Sequence, residues 1–250
     1  MNYSTRFGEA GKEYSEFRPQ YPETLFNTIF KNTPSPFSKA VDLGAGTGIS
    51  TMFLSKHFDR VYAVEPDSKM LKEVKFPDNV TACNCAAEDF DCANSEIQLI
   101  TAGNSFYWMD GAVIASKAEK WLVKGGVFAA YRYDFPQVLS EAKEIIDYEL
   151  EKHWNTFRSN RLIDTGYTHR TIKNSQLFSQ VNISYVPNVK SLTPESLVGF
   201  FTSTSYGSAY IKTLERKKDY ITALIQSIKN STASETIDVD FGLELILAIK

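Results

Sequence analysis

The stretch Val41-Asp42-Leu43-Gly44-Ala45-Gly46-Thr47-Gly48 joins an apolar segment to the start of a helical pattern. Residues 40–43 predict a short buried strand, and residues 49–58 predict the helix that follows it. The glycines between them let the backbone pass close to a ligand, and the helix start leaves backbone N–H groups free. In doubly wound sheets, ligands bind in such a crevice outside the strand ends. We therefore predict a ligand site at this turn.

Strand and helix signals alternate from this turn up to residue 134. Further strands are expected at residues 60–65, 79–85, 97–102 and 127–133, with helices starting at Asp67 and covering 111–122. An earlier helix opens at Pro22-Glu23, since proline suits a first helical turn, and runs to residue 31. This rhythm predicts βαβ units and a mostly parallel sheet.

The part of the chain after Pro136 has a different pattern. Helices are expected at residues 138–154, 194–201 and 210–229, an extended segment at 178–192 and a strand at 243–249. The two late extended segments complete the predicted α/β fold, a Rossmann-like, doubly wound sheet of seven mostly parallel strands with one antiparallel strand. We predict a single domain over residues 1–250, divided into an N-terminal lid and helix (1–38), a ligand-binding core (39–134), helical insertions with a late strand (135–240) and a final strand (241–250).

Composition narrows the class of protein. The chain has 250 residues with 43% hydrophobic and 23% charged residues, an ordinary globular composition. The formal net charge of -3 gives no support for a nucleic-acid partner. No apolar run approaches the roughly 20 residues of a membrane span, and the first residues lack the apolar core of a signal peptide. We expect a cytoplasmic protein without a membrane partner.

The three cysteines, Cys83, Cys85 and Cys92, lie close together in the sequence. Their odd count argues against a disulfide framework. Zinc pairs usually have at least two intervening residues, and a second ligand pair is missing. We therefore expect ordinary thiols and no metal site.

The glycine turn and the acidic residue after it indicate the kind of ligand. A dinucleotide fingerprint, G-x-G-x-x-G, would need a third glycine where this chain has Ile49. The turn suits a ligand with a carboxylate and an amine in place of phosphates. Glu65 ends the next predicted strand, about 20 residues after the first glycine, where an acidic side chain can accept hydrogen bonds from both ribose hydroxyls of an adenosine.

These residues resemble the class I S-adenosylmethionine (SAM)-dependent methyltransferases with a type 11 domain. The resemblance covers roughly residues 39–134 and rests on the first motif at 42–48, the ribose acid Glu65, the adenine-side segment Ala86-Ala87-Glu88-Asp89-Phe90, the fourth-strand segment at 97–110 and the turn Lys124-Gly125-Gly126. It implies SAM as cofactor and S-adenosylhomocysteine (SAH) as product.

A narrower resemblance concerns three other segments. Residues 14–22, 191–195 and 203–206 are similar to the branch of trans-aconitate-type small-molecule methyltransferases. Where many relatives have His-Trp, this chain has Tyr107-Trp108. A mechanism that requires a histidine at this position is therefore not expected.

The resemblance implies a set of cofactor-binding residues but no assigned catalytic residue. Gly44 and Gly46 are expected along the methionine part, Glu65 at the ribose, and Asn104 beside the methionine amine or the transferring methyl. Met70 covers the adenine or belongs to the core. The full set is Tyr14, Arg18, Asp42, Gly44, Ala45, Gly46, Thr47, Gly48, Glu65, Pro66, Met70, Ala87, Glu88, Asn104, Phe106 and Trp108.

Several side chains are candidates for the acceptor side. Residues 3–21 are expected to form a lid that orders when SAM or SAH binds, in which Arg18 pairs with a carboxylate or packs on a tyrosine. Trp108 walls the acceptor pocket or lies in the core, and residues 131–133 are expected to form a pocket wall. His153 and His169 lie in the variable region and are candidate bases.

The predicted reaction is in-line transfer of a methyl group to a small-molecule acceptor, at a carboxylate or hydroxyl oxygen, by a monomer or homodimer. Two alternatives remain: a non-catalytic SAM-binding regulator or assembly factor, and a methyltransferase that acts on RNA or protein. The second should show basic extensions, which the net charge of -3 does not suggest. An NAD-dependent oxidoreductase is disfavoured by the missing third glycine.

Overall fold

The computed structural model describes residues 17–250. Its strands are β1 (Lys39–Leu43), β2 (Arg60–Val64), β3 (Val80–Cys83), β4 (Ile97–Gly103), β5 (Leu122–Tyr133), β6 (Gln137–Val138), β7 (Gln180–Val186), β8 (Val189–Leu192), β9 (Ile237–Asp240) and β10 (Leu243–Ile249). Among these residues, seven strands form the main sheet in the order β3-β2-β1-β4-β5-β10-β7. Strands β1 to β5 are parallel, and β10 runs antiparallel to both of its neighbours. The predicted fold is confirmed.

The helices are α1 (Glu23–Asn32), α2 (Ile49–Leu54), α3 (Ser68–Lys72), α4 (Gly111–Trp121), α5 (Ala142–Glu149), α6 (Asn160–Ile163), α7 (Tyr167–Ser175), α8 (Pro194–Ser203), α9 (Ser205–Thr213) and α10 (Lys217–Ser231). A 3₁₀ turn covers Phe106–Trp108, and a π-helical turn at Leu150–Trp154 continues α5. Polar caps start several helices: Asp110 accepts from Ala112 N and Val113 N, and Thr193 accepts from Ser196 N.

Four predicted elements differ from the structure. The extended segment 178–192 is two strands in two sheets, because Pro187 has no N–H with which to continue the first ladder. The helix expected at 210–229 is divided between α9 and α10, which are separated at residues 214–216. The helix expected from residue 138 begins at Ala142, because residues 137–138 pair with β9. Strand β5 begins at Leu122, before the expected glycine turn, and its pairing with β4 shifts register there.

Helix α1 lies on one face of the sheet. Leu25, Phe26 and Ile29 are fully buried there, and the Phe26 ring stacks on Phe53 at 4.0 Å between centroids. Burying each such side chain stabilises the fold by about 1.5–3 kcal/mol. This packing fixes the residues just before α1, including Arg18 and Tyr21, beside the carboxyl ends of the central strands.

We call residues 135–240 the cap, and they contain a second hydrophobic core. Strands β6, β9 and β8 form a three-stranded antiparallel sheet that packs with the cap helices, and Trp154 stacks on Phe201 at 5.2 Å. The sequence predicted helical insertions here and missed the small sheet, because strands of two to four residues show no usable alternation. No helix within residues 17–250 has the length and apolar composition that a membrane crossing requires.

Candidate active site

A cavity of about 410 Å³ lies at the carboxyl ends of the parallel strands. It sits beside β1 and β4, where the strand order reverses, the usual ligand position in a doubly wound sheet. One wall, which we call the turn side, consists of lining residues within 44–50, 65–70 and 86–88. The opposite wall, the cap side, consists of Arg18, Tyr21 and lining residues within 132–136, 158–162 and 200–206. Residues 103–109 lie between the two walls.

The glycine turn folds tightly against the end of β4. Gly44 N and Ala45 N both donate to Val64 O, at 2.8 and 3.0 Å. Gly44 has a φ of +71°, and a Cβ at this position would lie 2.5 Å from Ser105 Cβ. Both the left-handed backbone and this close approach require glycine. The turn therefore presents backbone, without side chains, to the cavity.

Asp42 lies below this turn and does not line the cavity. Its carboxylate accepts from Thr51 Oγ1 at 2.6 Å and from Thr101 Oγ1 at 2.8 Å. Burial raises the pKa of Asp42, while these two hydrogen bonds lower it. Asp42 thus connects β1 to α2 and β4, and the expectation that it faces the ligand is corrected to a role in holding the turn.

Two further residues expected at the cofactor lie elsewhere. Gly48 is the N-terminal cap of α2, with a φ of +79°, and faces Phe76. Phe106 is 2% exposed and packs against Phe128. Neither lines the cavity, because the chain has already turned into the helix at Gly48 and points Phe106 into the core.

Glu65 has its carboxylate at the turn side. Oε2 accepts from Gly46 N at 2.9 Å and Oε1 accepts from Asp67 N at 3.0 Å. Burial raises the pKa of Glu65, and the two backbone hydrogen bonds lower it. Since each carboxylate oxygen can accept more than one hydrogen bond, Glu65 can receive further donors from a ligand.

Other turn-side residues complete a cleft with a polar edge. Met70 is buried against the glycine turn, 3.6 Å from where a Cβ of Gly46 would lie. Ala87 is also buried, and Glu88 Oε1 accepts from Asp110 N at 2.7 Å. The cleft therefore has an apolar surface and a fixed carboxylate at its rim.

Asn104 joins two separate segments of the cap side. Its φ of +52° is in the left-handed region, which asparagine tolerates better than most residues. Nδ2 donates to the Tyr21 hydroxyl at 3.0 Å, and Oδ1 accepts from Tyr133 N at 3.2 Å. Such backbone strain clusters at functional sites. Asn104 fixes Tyr21 relative to β5.

The cap side carries arginines among aromatic rings. Arg18 Nη1 donates to the Tyr133 hydroxyl at 2.5 Å, and its Cζ lies 5.1 Å from the centre of the Phe200 ring. Arg158 Cζ lies 5.6 Å from the Phe135 ring centre and 5.8 Å from the Tyr206 ring centre. Burial raises the pKa of Tyr206 to about 12, so this phenol is neutral near pH 7.

Arg158 differs from Arg132 in its charge partner. The Nε of both side chains is buried, and within residues 17–250 neither atom has a hydrogen-bond partner. No carboxylate in this described part of the chain forms an ion pair with Arg158, whereas Arg132 pairs with Asp134 at 3.0 Å. A half-buried guanidinium of this kind favours an anionic ligand.

Most of the expected cofactor residues meet at the cavity, and one lies outside the described residues. The residues that line it are Arg18, Gly44, Ala45, Gly46, Thr47, Glu65, Pro66, Met70, Ala87, Glu88, Asn104 and Trp108. Tyr14 and the larger part of the predicted lid fall outside residues 17–250. Of the wall expected at 131–133, Arg132 and Tyr133 line the cavity, whereas Tyr131 is buried and its hydroxyl lies 2.6 Å from Ser50 Oγ.

The sequence reasoning also pointed to histidines and missed several lining residues. Neither candidate base lines the cavity: His153 stacks on Tyr210 at 5.0 Å, and His169 lies away from it. The missed residues include Ser105, Phe135, Arg158, Phe200 and Tyr206. Ser105 and Tyr206 lie in segments that the resemblance had marked, and neither was assigned a role in the site. No periodicity marks Arg158.

Comparisons with known proteins agree with this geometry. Residues 41–130 match the family model described as a methyltransferase domain. A Dictyostelium discoideum protein named as a methyltransferase is 26% identical over 260 residues, which span 99% of this chain and 96% of that protein. A Saccharomyces cerevisiae protein named as a SAM-dependent methyltransferase is 22% identical over 265 residues, spanning 92% and 91% of the two chains.

The fold also matches solved structures. An Anaeromyxobacter dehalogenans protein described as a type II methyltransferase superposes with a TM-score of 0.75 at 20% identity, covering 93% of this chain and 97% of that one. The matched domain contains the glycine turn and Glu65, which together line the turn side of the cavity. The chain is a SAM-dependent methyltransferase with the class I fold.

Proposed function

We propose that this methyltransferase transfers the methyl group to a carboxylate oxygen of a small-molecule acceptor. The observation that carries the proposal is Arg158, a half-buried cation at the cavity wall without an acidic partner in residues 17–250. The likeness of residues 14–22, 191–195 and 203–206 to the trans-aconitate-type branch remains a prediction within this proposal.

The turn side fits SAM. A Cβ at Gly44 would lie 2.5 Å from Ser105 Cβ, so the turn keeps bare backbone beside the cavity, and Glu65 offers a buried carboxylate to donors such as ribose hydroxyls. Gly44 and Gly46 would border the methionine part, while Met70, Ala87 and Glu88 would border the adenine. When bound, SAM supplies a methyl group that is already activated by the positive sulfur.

The cap side fits an acceptor with a carboxylate and an apolar body. Arg158 would bind the carboxylate, and the rings of Phe135, Phe200 and Tyr206 would contact the rest of the acceptor. Charge-assisted hydrogen bonds from arginine to carboxylate are among the stronger polar contacts in proteins. The ion pair between the acceptor carboxylate and the Arg158 guanidinium would determine which carboxylate oxygen faces the turn side.

The lining residues favour a carboxylate over an alcohol or amine. A carboxylate is already a nucleophile near pH 7, whereas a hydroxyl or ammonium group needs a base. Among the described residues that line the cavity there is no histidine, and Tyr206 holds its proton. Since no base is required, these residues contribute by positioning the acceptor and excluding water. Positioning lowers the activation free energy by at most about 7–11 kcal/mol.

The size of the cavity supports a small acceptor. Its volume of about 410 Å³ lies in the range of small-molecule sites, roughly 300–1,000 Å³. Its walls come from residues 18 to 206 and include both the core and the cap. For this reason we also propose that residues 1–250 act as one domain.

A panel of acceptors tests the proposed reaction. The protein is incubated with SAM and with aliphatic and aromatic carboxylic acids, each paired with its amide and its alcohol. We expect SAH release and methyl esters from acids only, measured by mass spectrometry. Methylation of the amides or alcohols but not the acids would refute the proposal. SAH binding without turnover on any compound would favour the SAM-binding regulator.

A further inference from the structure

A second, small void lies beside Arg132, a residue that also lines the main cavity. Its volume is about 10 Å³, close to the roughly 10–15 Å³ that one water molecule requires. It is bordered by the 3₁₀ turn, α7 and the strands β4, β5 and β10. The lining residues are Ala102, Phe106, Tyr107, Ala130, Tyr131, Arg132, Thr168, Glu244 and Ile246.

Three polar side chains at this void carry a buried atom that has no hydrogen-bond partner within residues 17–250. These atoms are Arg132 Nε, Thr168 Oγ1 and Glu244 Oε1. Proteins leave few buried polar side-chain atoms unsatisfied, so three around one void need a common explanation. Their chemistry is complementary: one donates, one accepts and the hydroxyl does either. A single water with two to four polar partners satisfies such a set.

The register of the sheet places two of these side chains on the same face. Glu244 on β10 lies directly opposite Arg132 on β5, so their side chains share one face of the sheet. Within the described residues, Arg132 pairs directly with Asp134 and not with Glu244. A water between the guanidinium and the Glu244 carboxylate would therefore make the link that the side chains do not make directly.

Arg132 also connects the sheet to the segment that carries Arg158. It is 5% exposed and donates from Nη2 to Leu162 O at 3.0 Å and from Nη1 to Asp164 O at 3.5 Å. Its Cζ lies 4.7 Å from the centre of the Tyr107 ring, and both side chains line the main cavity. The orientation of this guanidinium thus determines where residues 158–164 sit against the sheet.

We infer that Glu244 is a positioning residue, which acts through one bound water shared with Thr168 to hold Arg132 and thereby the acceptor wall. The effect on acceptor binding rests on the proposed function, whereas the water site and the position of Arg132 do not. Burial and Asp134 raise the pKa of Glu244, while Arg132 and His169 lower it. A water donating to Oε1 would favour the charged form.

A crystal structure of the full chain with SAH tests the water site directly. At a resolution that shows ordered waters, we expect one water within hydrogen-bond distance of Arg132 Nε, Thr168 Oγ1 and Glu244 Oε1. A void without density, or a direct bond between Glu244 and Arg132, would overturn the inference. This outcome is independent of any acceptor.

Variants separate positioning from general stability. Thr168→Val removes the hydroxyl at nearly constant shape, and Thr168→Ser keeps it. Glu244→Gln keeps an oxygen for the water, and Glu244→Leu does not. With the best carboxylic acid from the acceptor panel, we expect KM to rise about three- to tenfold for Thr168→Val and Glu244→Leu. Thr168→Ser and Glu244→Gln should recover most of this loss, with SAH affinity unchanged in all four.

Two outcomes would contradict the positioning role. A parallel loss of SAH affinity and activity in every variant would show a purely structural role. A crystal structure of Glu244→Leu in which Arg132 still contacts Leu162 O in the same orientation would overturn the inference for any acceptor. If no acid in the panel is methylated, the proposed function fails, and this crystal structure still decides the role of Glu244.

Discussion

The two walls of the cavity are built in different ways. On the turn side, Glu65 accepts from Asp67 N and Gly46 N, which lie two and 19 residues away along the chain, and the glycine turn presents backbone to the cavity. On the cap side, Arg18 bonds Tyr133, which lies 115 residues further along the chain. The contacting groups there are side chains from separate segments. Where backbone forms the wall, the choice of residue is restricted by the backbone conformation. Where side chains form the wall, each residue only needs a side chain that extends to the cavity.

The largest effect is expected where the turn side depends on glycine. Gly44→Ala should abolish measurable SAH binding, because its Cβ would lie 2.5 Å from Ser105 Cβ in a left-handed backbone. Gly125→Ala is the matched control: its φ of +75° gives the same strain, about 1–2 kcal/mol, but nothing lies within 4 Å of the new Cβ. Calorimetric titration with SAH and thermal unfolding of both variants measure the difference. Normal SAH binding by Gly44→Ala would place the cofactor elsewhere.

Glu65 tests the polar part of the same wall. Glu65→Ala should weaken SAM and SAH binding about ten- to hundredfold, since hydrogen bonds to a charged acceptor contribute roughly 1.5–3 kcal/mol. The exposed Glu73→Ala serves as control and should bind as the wild type does. Isothermal titration calorimetry gives both affinities. An unchanged affinity in folded Glu65→Ala would remove this carboxylate from the cofactor site.

Substitution of Arg158 should affect acceptor binding at the cap side and not cofactor binding at the turn side. Arg158→Gln is expected to raise KM for a carboxylic acid about ten- to hundredfold and to leave SAH affinity unchanged, because it removes the cation but not the turn side. Arg216→Gln is the control, since that side chain is 84% exposed. Steady-state kinetics and SAH titration provide the two readouts. If KM stays the same, the carboxylate does not bind at Arg158.

A smaller effect is expected at the long-range contact of the cap side. Tyr133→Phe removes the hydroxyl that accepts from Arg18, and KM for the acceptor should rise about two- to tenfold. Tyr148→Phe, at a tyrosine that is 56% exposed, should have no effect. The assay is the same kinetic comparison. A larger change in SAH affinity than in acceptor KM would show that the two walls are not separable.

The smallest effect concerns stability and pH at Glu244. Its pKa is raised above the ordinary value of 4.5, first by burial, so the folded state holds the proton more tightly than the unfolded chain does. The resulting contribution to stability is present below pH 4.5 and is lost as pH rises through the folded pKa. Glu244→Gln should lack this decrease. As pH rises from 4.5 through the folded pKa, its free energy of unfolding should therefore increase relative to that of the wild type. Urea unfolding at several pH values measures it, and parallel curves would contradict it.

Much of the main sheet was predictable, because buried strands and their turns leave patterns over consecutive residues. The predicted strand at 243–249 coincides with β10, and the glycine turn lies where residues 44–48 placed it. The small sheet of the cap was missed, since β6 has only two residues. Asp42 and Phe106 were predicted to bind the cofactor but do not line the cavity. A motif identifies a segment and does not show which of its side chains point toward the cavity.

The cap side shows why the rest was not predictable. Arg158 follows no repeat, and its significance depends on Phe135 and Tyr206, which are far from it in the chain. Arg132 was included in a predicted wall because of the tyrosines beside it, and its bonds to Leu162 and Asp164 depend on tertiary packing. Sequence spacing carries no information about such tertiary contacts, which depend on the folded structure.

The insertion of the cap between β5 and β10 also determines how this chain can fold. The pairing of these two strands closes a loop that contains the whole of residues 134–242, a contact of large sequence separation. Such contacts form slowly, since closing a long flexible loop reduces chain entropy before any pairing compensates for it. The cap has its own buried cluster around Trp154 and Phe201, and early collapse of that cluster would shorten the loop. We therefore expect the cap to act as an internal folding unit whose formation accelerates completion of the sheet.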